Sequence, residues 1–268
     1  MKLVSIALVV FFASPALALA ENDVVMVQST TSTQNSGLYA YLLPIAAQAL
    51  DLDIRVVAVG TGQALGNAER CDGDILIVHA RAAEEAFVAA GFGTARYDLM
   101  FNDFVLVGPR SDPAGVAGAA TAAEALARIA AARAPFASRG DDSGTHQKEL
   151  SLWGGIADVA AASGGWYRET GSGMGATLNV AVGMGAYTLT DRATWLAFEN
   201  RGDHVILNQG DPVLFNQYGV IPVSPARCPN VNAEGAAAFS AWLRTDGQAV
   251  IAAFQPGGQQ LFFPNAGN

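Results

Sequence analysis

The chain contains 268 residues, of which 51% are hydrophobic and 15% are charged, and its formal net charge is −9 at pH 7. This length allows one large or two medium domains, and the apolar content excludes a disordered chain. The acidic balance argues against a nucleic-acid partner, which requires a basic surface. A bound anion would need local hydrogen-bond donors, because the net negative charge of the protein repels it. Salt screens this repulsion beyond roughly 8 Å, so donors close to the anion can overcome it.

Residues 1–20 have the pattern of a secretory signal. Lys2 supplies the positive start, residues 3–12 are apolar apart from Ser5, and residues 18–20 (ALA) form a small-x-small cleavage site. No other apolar run reaches the length of a membrane span. We therefore predict cleavage near Ala20 and an exported, soluble mature protein.

Strands and helices alternate in the first part of the mature chain. The helix between the first two strands contains Pro44, which should kink it or make its first half irregular. The residues predicted on its buried face are Leu38, Leu42, Ile45 and Ala49. The strands of this part are predicted at 24–27, 54–59 and 75–78, and the later helices at 63–70 and 84–90. This β-α-β-α-β order predicts a parallel sheet covered by helices.

The second part contains two long extended stretches, at 101–108 and 213–222. Shorter strands are predicted at 135–138, 186–190 and 205–207, and helices at 121–132, after Ser143, after 171–175, after Asp191 and at 239–254 with a break near Gly247. In the helix after Ser143 we expect Leu150, Trp153 and Ile156 to face inward. Two extended crossings between two α/β lobes give a clamshell with a ligand cleft. The predicted lobes are 21–106 with 220–268, and 107–219.

Four runs rich in Gly, Ser and Thr lie where a strand passes into a helix. They are residues 29–33 (STTST), 60–62 (GTG), 138–145 (SRGDDSGT) and 171–175 (GSGMG). A helix start exposes unpaired N–H groups and the positive end of the peptide dipoles, and hydroxyl groups add further donors. Several such starts converging on one point would form a cage for a small oxyanion.

The run containing Arg139 is the most informative of the four. Arg139 follows a strand, and Ser143, Gly144 and Thr145 open a helix, so a guanidinium fork lies beside free helix N–H groups. The alternative is a surface ion pair with Asp141 or Asp142, which would be weak. The flexible backbone at Gly140 and Gly144 favours the oxyanion interpretation.

Interpretations of these motifs as parts of an enzyme agree less well with the sequence than an oxyanion site does. The run at 60–62 resembles the start of a dinucleotide fingerprint, but Leu65 occupies the third glycine position. An exported hydrolase using Ser143 with His146 is the enzyme alternative, yet the mature chain contains no Gly-x-Ser-x-Gly elbow. The three histidines and two cysteines lack metal-ligand spacing, and we expect neither catalysis, a cofactor nor a protein-bound metal.

Cys71 and Cys228 are the only cysteines. An even number in an exported protein favours a disulfide over two isolated buried thiols.

Over nearly the whole mature chain, the sequence resembles the tungstate-binding proteins of bacterial ABC uptake systems. The residues that carry the resemblance are 30–38 (TTSTQNSGL), 59–64 (VGTGQA), 73–80 (GDILIVHA), 138–146 (SRGDDSGTH) and 216–222 (NQYGVIP). The resemblance implies an α/β, two-lobed type II periplasmic binding fold with lobes joined by two strands. It also implies a periplasmic monomer that captures tungstate and delivers it to a membrane permease. The implied oxyanion contacts fall on Thr30 or Thr31, Thr61, Arg139, Ser143, Gly144 and Thr145.

The chemistry of the ligand leaves alternatives open. Tungstate and molybdate are fully deprotonated at neutral pH and only accept hydrogen bonds, as sulfate does, so a cage of donors suits them. Phosphate carries a proton near neutral pH and needs one acceptor, which Asp141 or Asp142 could supply. The preference for tungstate over molybdate follows from the resemblance and not from the residues.

Overall fold

The computed structural model describes residues 24–267, so the predicted signal segment lies outside the described residues. The strands are β1 (Val24–Thr30), β2 (Asp53–Val59), β3 (Ile75–Val78), β4 (Tyr97–Pro109), β5 (Phe136–Ser138), β6 (Tyr167–Glu169), β7 (Thr188–Asp191), β8 (His204–Asn208), β9 (Phe215–Pro222) and β10 (Phe263–Pro264). The helices are α1 (Thr31–Asn35), α2 (Leu38–Leu50), α3 (Thr61–Glu69), α4 (Arg81–Ala89), α5 (Ala122–Ala132), α6 (Gly144–Trp153), α7 (Val159–Ala162), α8 (Met174–Met184), α9 (Arg192–Ala197), α10 (Ala233–Arg244) and α11 (Asp246–Ala253).

The predicted parallel unit is confirmed. β1 pairs in parallel with β2 on one side and with β3 on the other. Apolar residues on both faces of β3 are buried beneath helices, as expected for a strand inside a parallel sheet. β9 then adds to β3 in the antiparallel sense, which makes the sheet mixed. The helix starts that follow β1, β2 and β3 therefore share one edge of the sheet.

β4 and β9 correspond to the two stretches predicted to cross between the lobes, and the pairing of β4 shows such a crossing. Residues 97–103 of β4 pair with β9, whereas residues 104–107 pair with β7 and residues 106–109 with β8. One continuous strand thus leaves the first sheet and enters the second part of the fold. Separate buried apolar clusters lie on the two sides, one containing Val25, Leu42 and Phe239 and the other containing Leu126 and Trp153. The architecture is the two-lobed α/β arrangement; the exact lobe limits at 106/107 and 219/220 stay a prediction.

A disulfide joins Cys71 and Cys228, which confirms the predicted bridge. Their Cα atoms are 5.3 Å apart although the residues are separated by 157 positions in the chain. The bridge ties the segment after α3 to the segment before α10, and so links an early and a late part of the chain. None of the helices within residues 24–267 combines the length and the apolar character needed to cross a membrane.

Two predicted helix faces are wrong in part, although Leu38, Leu42 and Trp153 are buried as predicted. In α2 the side chain of Ile45 is 38% exposed and Ala49 is also exposed, because the buried stripe runs through Leu38, Leu42 and Ala46. These three residues are spaced by four and therefore stack on one face. α2 is also helical without interruption from residue 38 to residue 50, so its first half is not irregular.

In α6 the predicted inward residue Leu150 is instead 42% exposed. The buried face carries Thr145, Glu149 and Trp153, again spaced by four. Two of these residues are polar, so an apolar pattern could not identify the face that packs inward.

Candidate functional site

Four helix starts converge, as the Gly, Ser and Thr runs predict. Thr30 caps α1, Gly60 precedes α3, Ser143 caps α6 and Gly173 precedes α8. α3, α6 and α8 each contain at least nine residues, so their N-terminal dipoles are well developed. Within the described residues, the peptide N–H groups of these first turns are donors that a helix cannot satisfy internally.

Close backbone approach brings the starts together. The Gly144 N–H donates to Thr61 Oγ1 at 3.1 Å, which joins the start of α6 to the start of α3. A Cβ atom on Gly144 would lie 3.0 Å from both Thr61 Oγ1 and the His79 ring, and one on Gly173 would lie 3.5 Å from Thr31 Oγ1. A side chain at position 144 would therefore separate the helix starts, which explains the requirement for glycine there.

Arg139 lies at the centre of this arrangement with only 2% of its surface exposed. Its Nε donates to the Ser172 carbonyl at 3.2 Å, and its Nη2 donates to Asp141 at 2.5 Å and to Thr31 Oγ1 at 3.5 Å. Its Nη1 makes no hydrogen bond with any residue between 24 and 267. The guanidinium group thus retains donor capacity in a buried setting, where a charge-assisted bond is strong.

The ion pair between Arg139 and Asp141, considered above as the alternative to an oxyanion site, exists, but it joins a buried arginine to a half-buried aspartate and does not lie on the surface. The second oxygen of Asp141 accepts the Ser143 N–H at 3.2 Å. Asp142 is exposed, and its carboxylate accepts from Gln147 at 3.2 Å. Both carboxylates are therefore engaged, and Asp141 orients Arg139 and the start of α6 relative to each other.

The hydroxyl groups predicted to bind the anion fall into two groups. Four of them donate to no residue in the described part of the chain: Thr31, Thr61, Ser143 and Thr145. Thr145 Oγ1 is buried and has no partner there at all. The Thr30 hydroxyl differs, because it contacts Ser32 Oγ at 3.1 Å and Thr33 Oγ1 at 2.8 Å. The site thus holds four hydroxyl donors with unused protons and one whose proton is occupied.

Sequence reasoning missed several polar residues in this region. His79 is 6% exposed; its Nε2 lies 3.1 Å from Ser32 Oγ and its Nδ1 lies 3.1 Å from Asn216 Oδ1. Asp191 is fully buried and caps α9 through one oxygen, while its Oδ2 has no partner among the described residues. The position of His79 directly after a buried parallel strand was a usable signal, since such strand ends carry ligand sites.

Burial and charge shift the titration of these groups. Burial lowers the pKa of His79 to about 4, and the Arg139 charge acts in the same direction. Burial raises the pKa of Asp191, opposed by hydrogen bonds from Thr194 and by the Arg139 charge. His79 is consequently a neutral imidazole at physiological pH. A cleft of about 430 Å³ opens beside it, lined among others by Gly144 and Asn216.

The neutral His79 predicts a pH dependence of stability. An unfolded histidine titrates near pH 6.5, so between pH 6.5 and about 4 the unfolded chain binds a proton that the folded chain excludes. Stability contributed by His79 is therefore lost as the pH falls through this window. We expect the free energy of unfolding of the wild type, relative to His79→Gln, to decrease with falling pH there. Urea unfolding of both proteins across the window measures the difference, and parallel curves would contradict the prediction.

The fold and the converging helix starts define a two-lobed α/β binding protein of the type II periplasmic class. The family model of the PBP superfamily domain matches residues 18–246. The tungstate-binding protein TupA of Peptoclostridium acidaminophilum is 45% identical over 247 residues, which cover 90% of this chain and 86% of that protein. The chain belongs to the PBP superfamily and, within it, to the family of these tungstate-binding proteins.

Solved structures agree with this membership. The tungstate-binding protein TupA from Desulfovibrio alaskensis G20 has a TM-score of 0.76 and 50% identity, covering 91% of this chain and 99% of that one. The structure described as the tungstate ABC transporter from Geobacter sulfurreducens has a TM-score of 0.76 and 47% identity, covering 87% and 99%. The matches extend over both lobes, so the whole architecture is shared.

Proposed function

We propose that this chain captures tungstate, and with it molybdate, in the cleft between its lobes and delivers the anion to an ABC permease. The observation that carries the proposal is the set of unused donors around Arg139: its free Nη1 and the protons of Thr31, Thr61, Ser143 and Thr145. A fully deprotonated tetrahedral dianion accepts hydrogen bonds from several directions and matches a cage of donors. The family membership supports the same ligand class.

Individual contacts follow from the donor inventory. We assign the hydroxyl contact of the first helix start to Thr31, because the Thr30 proton is occupied by its neighbours. Thr61, Ser143 and Thr145 supply the other hydroxyls, and the backbone at Gly144 allows the anion to approach the start of α6. We further propose that the mature protein acts in the periplasm as a monomer, which agrees with the signal predicted at 1–20.

A hydrolase using Ser143 receives no support from the contacts. Ser143 Oγ accepts the backbone N–H of His146 at 3.2 Å, while His146 Nδ1 accepts the Asp142 N–H at 3.1 Å. The imidazole is thus occupied by a backbone donor and does not activate the hydroxyl as a nucleophile would require.

Thermal unfolding with millimolar tungstate, molybdate, sulfate or phosphate tests the proposed function. An anion at a hundredfold its Kd should stabilise the folded protein by roughly 2.7 kcal/mol. Isothermal titration then gives the affinity of each anion that shifts the transition. No shift with any of the four anions would refute an oxyanion-binding function.

Closure of the lobes is a further expected result. Thr31 and Thr61 come from the first part of the chain, whereas Arg139 and Ser143 come from the predicted second lobe, so full coordination needs both lobes together. Small-angle scattering should therefore give a smaller radius of gyration with tungstate than without it. An unchanged profile at saturation would indicate a rigid, preformed pocket.

A further inference from the structure

A row of buried polar side chains runs from the two crossover strands to the start of α1. Asn102 in β4 and Asn216 in β9 are opposite each other in the strand register, and the Asn216 Nδ2 donates to Asn102 Oδ1 at 2.6 Å. Asn216 Oδ1 lies 3.1 Å from His79 Nδ1, and His79 Nε2 lies 3.1 Å from Ser32 Oγ. None of the four residues is more than 6% exposed.

The direction of the hydrogen bonds in this row can be assigned from one end. The Asn216 oxygen only accepts, so His79 Nδ1 carries the hydrogen and donates to it. A neutral imidazole then has a lone pair on Nε2, and this atom accepts the Ser32 hydroxyl proton. The amide of Asn216 therefore selects the histidine tautomer, and the tautomer orients Ser32.

The same direction of hydrogen bonding extends to the threonines of the first Gly, Ser and Thr run. With its own proton given to His79, Ser32 Oγ must accept the Thr30 hydroxyl across 3.1 Å, and Thr30 Oγ1 accepts from Thr33 Oγ1 across 2.8 Å. All hydroxyl protons of the row thus point the same way, towards the crossover strands. Hydrogen bonds aligned in one direction polarise and strengthen each other.

The surroundings keep the imidazole in its neutral form and in its place. Arg139 is the cation near the ring, and the carboxyl of Asp191 lies near that same arginine. The ring centroid of His79 is 4.7 Å from that of Tyr218 and 6.3 Å from that of Phe104. The ring also borders Gly144, where an added Cβ would approach its Cε1 and Nδ1 to 3.0 Å.

We infer that His79 is a positioning residue for oxyanion binding: held by Asn216, it accepts the Ser32 proton and fixes the helix start that presents Thr31. This inference rests on the proposed function. Thr31 lies between Thr30 and Ser32, and both of these are locked by the row. Without an acceptor at His79 Nε2, the Ser32 and Thr30 hydroxyls would reorient, and the anion would have to reorder the segment when it binds.

Two substitutions separate positioning from ring packing. In His79→Gln the side-chain amide oxygen is separated from the backbone by the same number of bonds as His79 Nε2, so it can still accept from Ser32. In His79→Asn the side-chain amide nitrogen is separated from the backbone by the same number of bonds as His79 Nδ1, so it can still donate to Asn216. The asparagine side chain has no acceptor that reaches Ser32. Both variants lose the aromatic contacts with Tyr218 and Phe104 equally. A purely structural role for the ring would therefore affect both to the same extent.

Titration calorimetry with tungstate should rank the three proteins. Losing a partner that orients a binding group costs about 10- to 100-fold in affinity, which is the loss expected for His79→Asn. His79→Gln should stay within about threefold of the wild type, because its acceptor keeps the Ser32 hydrogen bond. Equal affinities of the two variants, or a weaker His79→Gln, would overturn the inference. Thermal unfolding without anion confirms that both variants are folded.

Nitrogen NMR of the free protein gives a readout that does not depend on tungstate. His79 should show a protonated Nδ1 and an unprotonated Nε2, and Ser32→Ala should shift the Nε2 resonance because its donor is removed. A protonated Nε2 in the wild type would refute the assigned direction. If the wild type binds no oxyanion, the proposed function fails, and the NMR result still decides the hydrogen-bond direction separately.

Discussion

Replacing Arg139 by alanine is expected to weaken tungstate binding by about 2–5 kcal/mol, or roughly thirty-fold to several thousand-fold. The guanidinium group is 2% exposed, so its attraction for an anion acts in a medium of low dielectric constant. Its free Nη1 supplies a charged donor that no neighbouring residue replaces. With a protein charge of −9, this one buried cation provides the local attraction that the molecule as a whole lacks.

Lysine at the same position distinguishes charge from geometry. Arg139→Lys keeps the positive charge but loses the planar guanidinium fork, which joins Ser172, Asp141 and Thr31. The tungstate affinity of this variant should therefore lie between those of Arg139→Ala and the wild type. Arg168→Ala is the matched control, since this arginine is exposed on the neighbouring strand β6 and should leave affinity unchanged. Titration calorimetry measures all three, and an Arg139→Ala affinity within a factor of two of wild type would remove Arg139 from the site.

A second control concerns Asp141, which pairs with Arg139 at 2.5 Å. Removing the arginine leaves this carboxylate without its cation, and part of the lost affinity could be repulsion of the anion. The double variant Arg139→Ala/Asp141→Asn removes that repulsion while it retains the loss of the donor. If the guanidinium donors dominate, the double variant stays far weaker than wild type. Recovery to near wild-type affinity would assign the effect to Asp141.

The parallel sheet of the first part could be predicted because it follows from local sequence patterns. β1, β2 and β3 are short apolar runs with helices between them, and this alternation enforces parallel pairing. β4, with 13 residues, is nearly twice as long as β1 or β2 and passes from the first sheet into the second part of the fold. The short strands β6 and β10, of three and two residues, were not predicted.

The helix starts of the site were equally predictable, whereas the row behind them was not. Gly, Ser and Thr after a strand have a local physical meaning, and Thr61, Arg139 and Ser143 are indeed brought together. Asn102 and Asn216 are 114 positions apart and meet only through the register of β4 and β9. The spacing of the two residues in the sequence does not indicate which residues of β4 and β9 lie opposite each other. The sequence alone therefore does not reveal the hydrogen bond between His79 and Asn216.

Ligand rank is the other large expected effect: tungstate should bind at least as tightly as molybdate, and both at least a hundredfold more tightly than sulfate. The expected difference from sulfate comes from the size of the anion. A cage fitted to long metal–oxygen bonds leaves the smaller sulfate short of several donors. Each contact that is not made to a charged ligand costs roughly 1.5–3 kcal/mol, so two missed contacts amount to a hundredfold or more. The expected preference for tungstate over molybdate rests on the family relationship, and the difference between the two affinities should be small.

Phosphate should also bind at least a hundredfold more weakly than tungstate, for a different reason. Its proton requires an acceptor, and both aspartates of the third run are already engaged: Asp141 accepts from Arg139 and Ser143, and the exposed Asp142 accepts from Gln147. A donor cage that meets a proton loses one hydrogen bond and gains a repulsive contact between two donors. The buried Oδ2 of Asp191 is the remaining carboxylate oxygen near Arg139 without a partner in residues 24–267.

Competition calorimetry with tungstate, molybdate, sulfate and phosphate decides the rank, and Asp191→Asn is the informative variant. Under the expected rank, this substitution leaves phosphate weak, because its amide oxygen is no better placed than the carboxylate. Should phosphate bind tightest, the size argument and the tungstate assignment would both fail. A loss of that tight phosphate binding in Asp191→Asn would then identify Asp191 as the acceptor, whereas its persistence would point to Asp141 turning away from Arg139.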